Sequence, residues 1–270
     1  MHRVPPTPDV SPRRLTLRVV LLLCALGATS DARAQAVDPS PWSASVQTER
    51  ASVSNQGRAS TWNTRRVQIG WNQPGVGGFS VGAEQYRRDG LTDVPLFAQA
   101  YRRAGDWTVV AGGGATSGAM FVYRHFVEGE VARRIAGTVV AAVNVRSLRY
   151  TDARVNQLQP SVTWYHARGE LGVRWISTTN TTLDRHTTAL VVRGYHDVTP
   201  RLRVSAGAAR GTRIFDVAAL TAASARSRSA SASVRVGVTR HDFLEVGGTD
   251  AHEDPAYTYR SFLVGYRRVF

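Results

Sequence analysis

The chain has 270 residues, of which 43% are hydrophobic, and a formal net charge of +14 carried by arginine alone, since it contains no lysine. Its apolar residues are scattered, and no stretch approaches the roughly eighteen that a membrane-spanning helix needs. The arginines are spread along the whole sequence, which argues against nucleic-acid binding, where cations usually cluster on one face or in a tail.

Residues 1–36 have the features of a secretory signal peptide. Four arginines precede the apolar run Val19–Leu26, and small residues follow it up to Ala36. We predict cleavage after Ala36, with Ala34 as the alternative, because the run is too short to serve as an anchor. Cleavage would remove five arginines and two aspartates and lower the net charge by three, from +14 to +11. The only cysteine, Cys24, lies in this leader, so the mature chain has no disulfide or Cys-based metal chemistry.

From Trp42 to the end, alternating segments are separated by short Gly, Pro, Asn or Asp interruptions, a pattern typical of strands and turns. In one of them Val67, Ile69 and Trp71 alternate with Arg66 and Gln68. Fourteen segments follow this pattern: 42–54, 61–71, 79–87, 96–103, 107–115, 120–133, 137–150, 158–165, 171–175, 186–195, 202–210, 226–239, 244–248 and 256–270.

The sequence therefore predicts an all-β protein over residues 37–270, a single antiparallel transmembrane up-and-down β-barrel. Fourteen is an even number, as in barrels built from one bacterial chain, and twelve is the alternative if one hairpin is a misread loop. Residues Ala256–Phe270 form the closing strand, with apolar and aromatic side chains on one face and polar ones on the other. Because lipid would cover the apolar face, the pattern predicts no hydrophobic core inside the barrel.

Loop lengths predict the orientation. The predicted turns on the side of the termini are mostly tight, whereas the interruptions on the other side are on the whole longer. Outer-membrane barrels have short periplasmic turns and longer outer loops. The predicted periplasmic turns are 72–78, 104–106, 134–136, 167–169, 197–201 and 240–242, and the longer outer loops include 87–95, 178–184, 211–225 and 249–255. We therefore predict export to the bacterial outer membrane.

Three segments carry a resemblance to a known family. Phe79–Asp93 reads FSVGAEQYRRDGLTD, Tyr101–Trp107 reads YRRAGDW, and the chain ends in GYRRVF. These segments resemble the YaiO-type family of outer-membrane β-barrel proteins, as a distributed pattern without a catalytic motif. The resemblance implies an outer-membrane barrel of poorly defined role.

Polar residues at inward-facing positions are the main candidates for function. Arginines outnumber acids among them, which predicts a net positive lumen that favours anionic solutes. The alternative is a narrow barrel filled by structural Arg–Glu pairs. The predicted lumen-facing residues are Arg66, Glu84, Arg88, Arg146, Arg174, Arg193, Arg203, Arg235 and Glu245.

Two further interactions are predicted at the barrel surface. Arg226 and Arg228 lie at the outer end of their strand, where they would meet lipopolysaccharide phosphates in bidentate fashion. The terminal Phe270, with Tyr266, is the expected signal for the barrel-assembly machinery. The sequence does not indicate an oligomeric state.

No motif predicts a catalytic, cofactor-binding or metal site, so we expect a non-enzymatic protein: a small-solute pore or a structural envelope protein. One alternative is a hydrolase at the outer rim, using His252 among the carboxylates of Thr249–Asp254 and Ser261 on the last strand. We interpret Thr249–Asp254 as part of a charged outer loop. Another alternative, suggested only by the family, is an accessory barrel for surface polysaccharide export.

Overall fold

The computed structural model describes residues 41–55, 58–212, 226–254 and 257–270. The predicted signal peptide, 1–36, and nearly all of the predicted irregular segment 211–225 lie outside these residues. Within the described ranges, no helix is long and apolar enough to cross a membrane.

The described chain is entirely β-structure joined by turns and loops, and every strand pairing is antiparallel. The strands are β1 Trp42–Asn55, β2 Arg58–Gln73, β3 Gly77–Arg88, β4 Leu91–Asp93, β5 Pro95–Ala104, β6 Trp107–Thr116, β7 His125–Ala136, β8 Val139–Arg149, β9 Arg154–His166, β10 Gly169–Asn180, β11 Arg185–Thr199, β12 Leu202–Thr212, β13 Arg226–Gly237, β14 Asp242–Glu253 and β15 Tyr257–Val269.

The sheet closes on itself because β1 pairs with both β2 and β15. The closing register runs from Ser43 opposite Val269 to Asn55 opposite Tyr257, and the Phe270 N–H donates to the Trp42 carbonyl. Strands β4 and β5 pair with β3 in one continuous register, interrupted only at Val94. The wall therefore has fourteen strands, and the sequence prediction of a fourteen-stranded antiparallel barrel is confirmed.

A belt of apolar side chains covers the outside of this wall. In each strand alternate residues are exposed, as at Val67 and Val127, whose exposed fractions are 53% and 62%. Soluble proteins rarely expose contiguous apolar patches beyond a few hundred Å², so the belt is a surface suited to hydrocarbon. Aromatic side chains lie along its edge near the termini, as in the girdles of membrane barrels: Trp42, Phe79, Trp107 and Trp164.

The predicted sorting of the turns by length holds only in part. The longer outer loops predicted at 87–95, 178–184 and 249–255 are wrong, because β3 and β4, β10 and β14 extend into them. Turns on the side of the termini are two to four residues long, whereas the loop between β6 and β7, residues 117–124, has eight. On that same far side, Asp89 and Gly90 both adopt positive φ, at 50° and 84°. This is the backbone that a two-residue hairpin turn requires, and Asp-Gly is a favoured sequence for it.

The expectation that the interior has no hydrophobic core is wrong. Phe126, Leu148 and Val155 point into the barrel from β7, β8 and β9 and are almost fully buried, with Phe97 and Tyr123 among the side chains packed against them. Strand alternation alone did not indicate this cluster, because its members are single large residues at inward positions of different strands. We call it the luminal apolar cluster.

The predicted strand 120–133 is wrong at its start. Residues 117–124 form the loop before β7, which begins at His125. The sequence prediction also placed Thr249–Asp254 in an outer loop, whereas β14 continues to Glu253. In both cases the local alternation was too short to locate the strand boundary.

We predict that Phe126→Ala lowers the free energy of unfolding of the barrel by about 3–5 kcal/mol, as expected for emptying an aromatic site in a packed cluster. Urea unfolding of the protein refolded in detergent or vesicles measures this change. Val127→Ala is the matched control, since this neighbouring side chain points outward and is largely exposed. Equal destabilisation by both substitutions would contradict an internal cluster.

Candidate functional site

The candidate site is the inside of the barrel. All nine predicted lumen-facing residues lie on strands, at positions that alternate with exposed apolar residues of the belt. Arg66 and Glu84, for example, face each other across β2 and β3, and Arg235 and Glu245 face each other across β13 and β14.

Most of the predicted arginines form ion pairs. Arg235 donates to Glu245 Oε2 from Nε and Nη2, at 3.2 and 2.8 Å. Arg66 Nε lies 2.6 Å from Glu84 Oε1, close enough for an ion pair although the angle is not that of a hydrogen bond. Arg203 makes a bidentate pair with Asp197, at 2.7 and 2.9 Å. These half-buried pairs neutralise much of the charge that the arginines bring into the barrel.

Three of the acidic partners were missed by sequence reasoning. Glu128 and Glu130 on β7 lie near Arg146 and Arg174, with N–O distances of 3.8 and 4.0 Å. Asp197 was assigned to a turn, whereas β11 extends to Thr199. The alternation within β7 could have identified both glutamates, since they share the inward positions of Phe126. The charge excess in the lumen is therefore smaller than the sequence predicts.

The remaining two predicted arginines, Arg88 and Arg193, have different surroundings. The Arg88 guanidinium lies 4.2 Å from the centre of the Trp62 ring and 5.1 Å from that of Phe121, both cation–π contacts. Arg193 is exposed and makes no ion pair or side-chain hydrogen bond within the described ranges. Arg267, at an inward position of β15, is likewise exposed and unpaired there. These two are free cations in the lumen.

Small residues line one side of the interior. The inward row that contains Arg193 continues across the next strands with Gly207, Ser231, Thr249 and Ser261, each directly opposite the last. The opposite side, around β5 to β9, carries the luminal apolar cluster. Space inside the barrel is therefore concentrated along β11 to β15 and β1 to β3.

Three cavities occupy that space. The outer cavity, about 370 Å³, is lined by Trp62, Arg66, Tyr86 and Arg88 among others. The middle cavity, about 420 Å³, is lined by residues of seven strands, including Arg193.

The third, periplasmic cavity, about 240 Å³, includes Arg235 and Arg267. Neighbouring cavities share lining residues: Glu49 and Thr249 join the outer to the middle one, and Glu245 and Leu263 join the middle to the periplasmic one. They form a series of neighbouring cavities, of which the middle one lies along the row of small residues.

The β6–β7 loop is fixed to the outer mouth by one carboxylate. Asp93 is only 2% exposed and accepts hydrogen bonds from the backbone N–H groups of Met120, Phe121 and Val122, at 2.8 to 3.1 Å. Phe121 in this loop contacts Arg88 at the outer cavity. Asp93 therefore holds the loop beside the mouth of the lumen. Neither the short β4 nor this contact was indicated by the sequence.

The proposed hydrolase residues do not come together. His252 Nε2 lies 2.9 Å from Asp250 Oδ2, whose other oxygen accepts a hydrogen bond from Arg260 Nε at 2.9 Å. Ser261 lines the middle cavity, whereas His252 occupies an outward position of β14. The histidine thus has an acid beside it, but no serine of the described residues forms a hydrogen bond with it. Within the described ranges there is also no group of three or more His, Cys, Asp or Glu side chains that could hold a metal ion.

The closing strand presents the two predicted assembly residues, Phe270 and Tyr266, outward. Both are exposed, and the Tyr266 hydroxyl donates at 2.5 Å to Oδ1 of Asp242, the first residue of β14. Hydrogen bonds from the Thr239 and Tyr266 hydroxyls lower the pKa of the Asp242 carboxyl. The contribution of Asp242 to stability is therefore present at neutral pH and is lost as the pH falls through this lowered pKa.

The two predicted lipopolysaccharide contacts lie at the start of β13. Both Arg226 and Arg228 are exposed, and both share the outward positions of Val234 and Val236.

Comparison with known proteins adds the fold class. No family model and no curated protein matches the chain. Solved structures do: the CymD monoaromatic hydrocarbon channel matches with a TM-score of 0.62 and 6% identity, over 86% of this chain and 89% of that one.

The outer membrane protein Omp33 of Acinetobacter baumannii matches with a TM-score of 0.51 and 14% identity, over 85% and 98% of the two chains. OmpT of Vibrio cholerae lacking loop L8 gives 0.51 and 10%, over 86% and 100%. This chain has the fold of an outer-membrane β-barrel. At these identities the likeness shows the fold alone, and the function has to be argued from the lumen.

We predict that Asp93→Ala releases the β6–β7 loop. Hydrogen bonds to a charged group contribute about 1.5–3 kcal/mol each, so the amides of residues 120–122 should exchange with solvent at least about tenfold faster. Hydrogen–deuterium exchange of the folded barrel measures this rate. Asp89→Ala, in the exposed turn nearby, should leave it unchanged, and unchanged exchange in both variants would show that Asp93 does not fix the loop.

Proposed function

We propose that this protein is a non-enzymatic pore of the bacterial outer membrane for small polar solutes. One observation carries the proposal: the three luminal cavities share lining residues and follow one wall of the barrel from the outer mouth to the periplasmic end. The side chains that line these cavities are mostly polar or small, with aromatic rings in the outer cavity, and they suit a hydrated solute better than an apolar one. Two further points support it, the outer apolar belt and the likeness in fold to channels such as CymD.

We further propose a preference for anions. Because most luminal arginines are ion-paired, the preference rests on the two free cations, Arg193 in the middle cavity and Arg267 in the periplasmic one. Unpaired cations along a narrow path attract anionic solutes. Glu49, which lines the outer and middle cavities, accepts a hydrogen bond from the Tyr259 hydroxyl at 2.7 Å. Its remaining charge and that of Glu170, which also lines the middle cavity, oppose the preference and should keep it modest.

The second candidate is a structural envelope protein with a filled lumen. The luminal apolar cluster and the row of Arg–carboxylate pairs favour it, because both occupy interior space. The hydrolase alternative has no support in the geometry of His252 and Ser261. An accessory role in polysaccharide export, and membership of the YaiO-type family, stay predictions that rest on the sequence resemblance.

The proposed location requires export and assembly. We propose that residues 1–36 are the signal peptide and that Phe270, with Tyr266, is read by the barrel-assembly machinery. In support, both aromatic side chains point outward at the end of the strand that closes the barrel, where a partner in the membrane can reach them.

We predict that the purified full-length mature protein conducts in a planar bilayer and that the reversal potential in a salt gradient shows anion preference. Replacing both Arg193 and Arg267 by Gln should reduce or abolish this preference, whereas Arg240→Gln, in an exposed periplasmic turn, should not. A silent bilayer would favour the filled structural protein. Conductance with unchanged selectivity in the double variant would contradict the role of the two arginines.

We also predict that Phe270→Ala hinders assembly. The substitution keeps the backbone hydrogen bond to Trp42, so a loss of assembly would be caused by removal of the aromatic side chain. Assembly is measured in outer-membrane fractions, as the fraction of the protein that migrates as a compact band on an unboiled gel. Val269→Ala, the neighbour on the opposite face, is the control, and normal recovery of Phe270→Ala would argue against a terminal assembly signal.

A further inference from the structure

A group of arginines lies on the outside of the barrel, away from the lumen. Arg50 on β1, Arg65 on β2 and Arg87 on β3 are all exposed and all occupy outward positions of three consecutive strands. We call them, together with Asn63, the β1–β3 arginine cluster.

The strand register brings these side chains close together. Asn63 pairs directly with Arg50 on one side and with Arg87 on the other, and Arg65 is two residues along the same strand. Directly opposite residues have Cα atoms about 4.5–5.5 Å apart, and alternate residues on a strand about 7 Å. Three guanidinium groups and one amide therefore surround a patch on the order of 10 Å across.

Nothing in the described part of the chain neutralises this charge. Arg50, Arg65 and Arg87 make no ion pair or side-chain hydrogen bond there. The outward positions of β1, β2 and β3 contain no acidic residue. This differs from the lumen, where arginines are matched by carboxylates, and it leaves about fifteen guanidinium N–H donors, five for each arginine, free for a ligand.

The same feature recurs on β12 and β13. Arg210 lies directly opposite Arg228, and both are exposed and without an ion pair in the described ranges. Like charges directly opposite each other destabilise a sheet. An anion bound between the two guanidinium groups would replace their repulsion by attraction.

The position of the arginines relative to the apolar belt indicates the ligand. Arg65 is the next outward residue beyond Val67, at the end of β2 remote from the termini, so the cluster begins where the belt ends. In an outer membrane this is the headgroup level of the outer leaflet. Guanidinium groups bind phosphate in bidentate fashion.

We propose that the β1–β3 arginine cluster binds a phosphorylated glucosamine headgroup of lipopolysaccharide, and that Arg210 and Arg228 form a second contact of the same kind. Of the two arginines selected from the sequence for this role, Arg228 thus gains a partner in Arg210, whereas the larger cluster was missed. Its three arginines are far apart in the sequence and meet only through the strand register. The proposal rests on the outer-membrane location given above and is independent of whether the barrel conducts.

The test uses the folded full-length mature barrel and native mass spectrometry to count bound lipid. The ligands are bisphosphorylated lipid A, the same lipid A after enzymatic removal of both phosphates, and phosphatidylglycerol. The test variant carries Arg50→Gln, Arg65→Gln and Arg87→Gln. The matched control carries Arg102→Gln, Arg201→Gln and Arg240→Gln, which removes the same charge from the opposite end of the barrel.

We expect the unmodified protein to retain bisphosphorylated lipid A at least about tenfold more tightly than the dephosphorylated form, the change expected from one hydrogen bond between charged groups. The cluster variant should lose this difference and the control variant should keep it. Equal retention of both forms of lipid A by the unmodified protein, equal loss in both variants, or a preference for phosphatidylglycerol would overturn the proposal.

Correct folding of each variant is checked by its unboiled gel mobility. Bilayer conductance of the cluster variant should match that of the unmodified protein. A barrel that binds lipid A but does not conduct would contradict the pore and leave the lipid site standing. A conducting barrel without phosphate-dependent binding of lipid A would contradict the lipid site and leave the pore standing.

Discussion

Closure of the sheet between β1 and β15 is the constraint on which the rest of the structure depends. Hydrocarbon offers no hydrogen-bond partner to a backbone N–H or carbonyl, so a spanning sheet is stable only if it has no free edge. The thirteen residue pairs from Ser43–Val269 to Asn55–Tyr257 remove that edge. Once the sheet is closed, every residue must face either the surroundings or the lumen. This alternation determines which residues form the apolar belt, which form the luminal ion pairs and which arginines face outward.

The sequence predicts the barrel well because closure imposes a period of two on nearly every strand. Val67, Ile69 and Trp71 on one face with Arg66 and Gln68 on the other are enough to place β2 and its orientation. The Asp89-Gly90 turn is similarly local, since its two positive φ angles are a property of those two residues, but the sequence predicts a longer loop there, 87–95. Features that depend on neighbours in sequence were therefore accessible, and they give the strand number and the tight turns on the side of the termini.

Features that depend on partners from distant strands were not accessible. The Tyr259 hydroxyl reaches Glu49 across 210 residues of sequence, and the β1–β3 arginine cluster depends on register. The luminal apolar cluster was excluded by the assumption that apolar residues face only lipid, which Phe126 contradicts. Asp93 was missed because its partners are backbone amides of a loop whose sequence, around Met120, continues the alternation of the following strand.

The interior is divided into two halves with different physical properties. On the β5–β9 side, the luminal apolar cluster and the Arg146–Glu128 pair occupy the interior, and the loop held by Asp93 lies beside the mouth near Arg88. On the β11–β15 side, Gly207, Ser231 and Ser261 leave space. This asymmetry explains how a fourteen-stranded barrel can be stabilised by internal packing and still contain neighbouring cavities from the outer mouth to the periplasmic end. It also locates the path that a solute would take.

Labelling of single cysteines tests that path most directly, because Cys24 is the only cysteine in the sequence and lies in the leader. Ser231→Cys places a thiol on the wall of small residues, and Ala232→Cys places one on the outward face beside it. The account predicts that a charged, water-soluble thiol reagent reduces the single-channel current through Ser231→Cys and leaves Ala232→Cys unaffected. An unchanged current after complete labelling of Ser231→Cys, or a block through Leu148→Cys in the luminal apolar cluster instead, would contradict it.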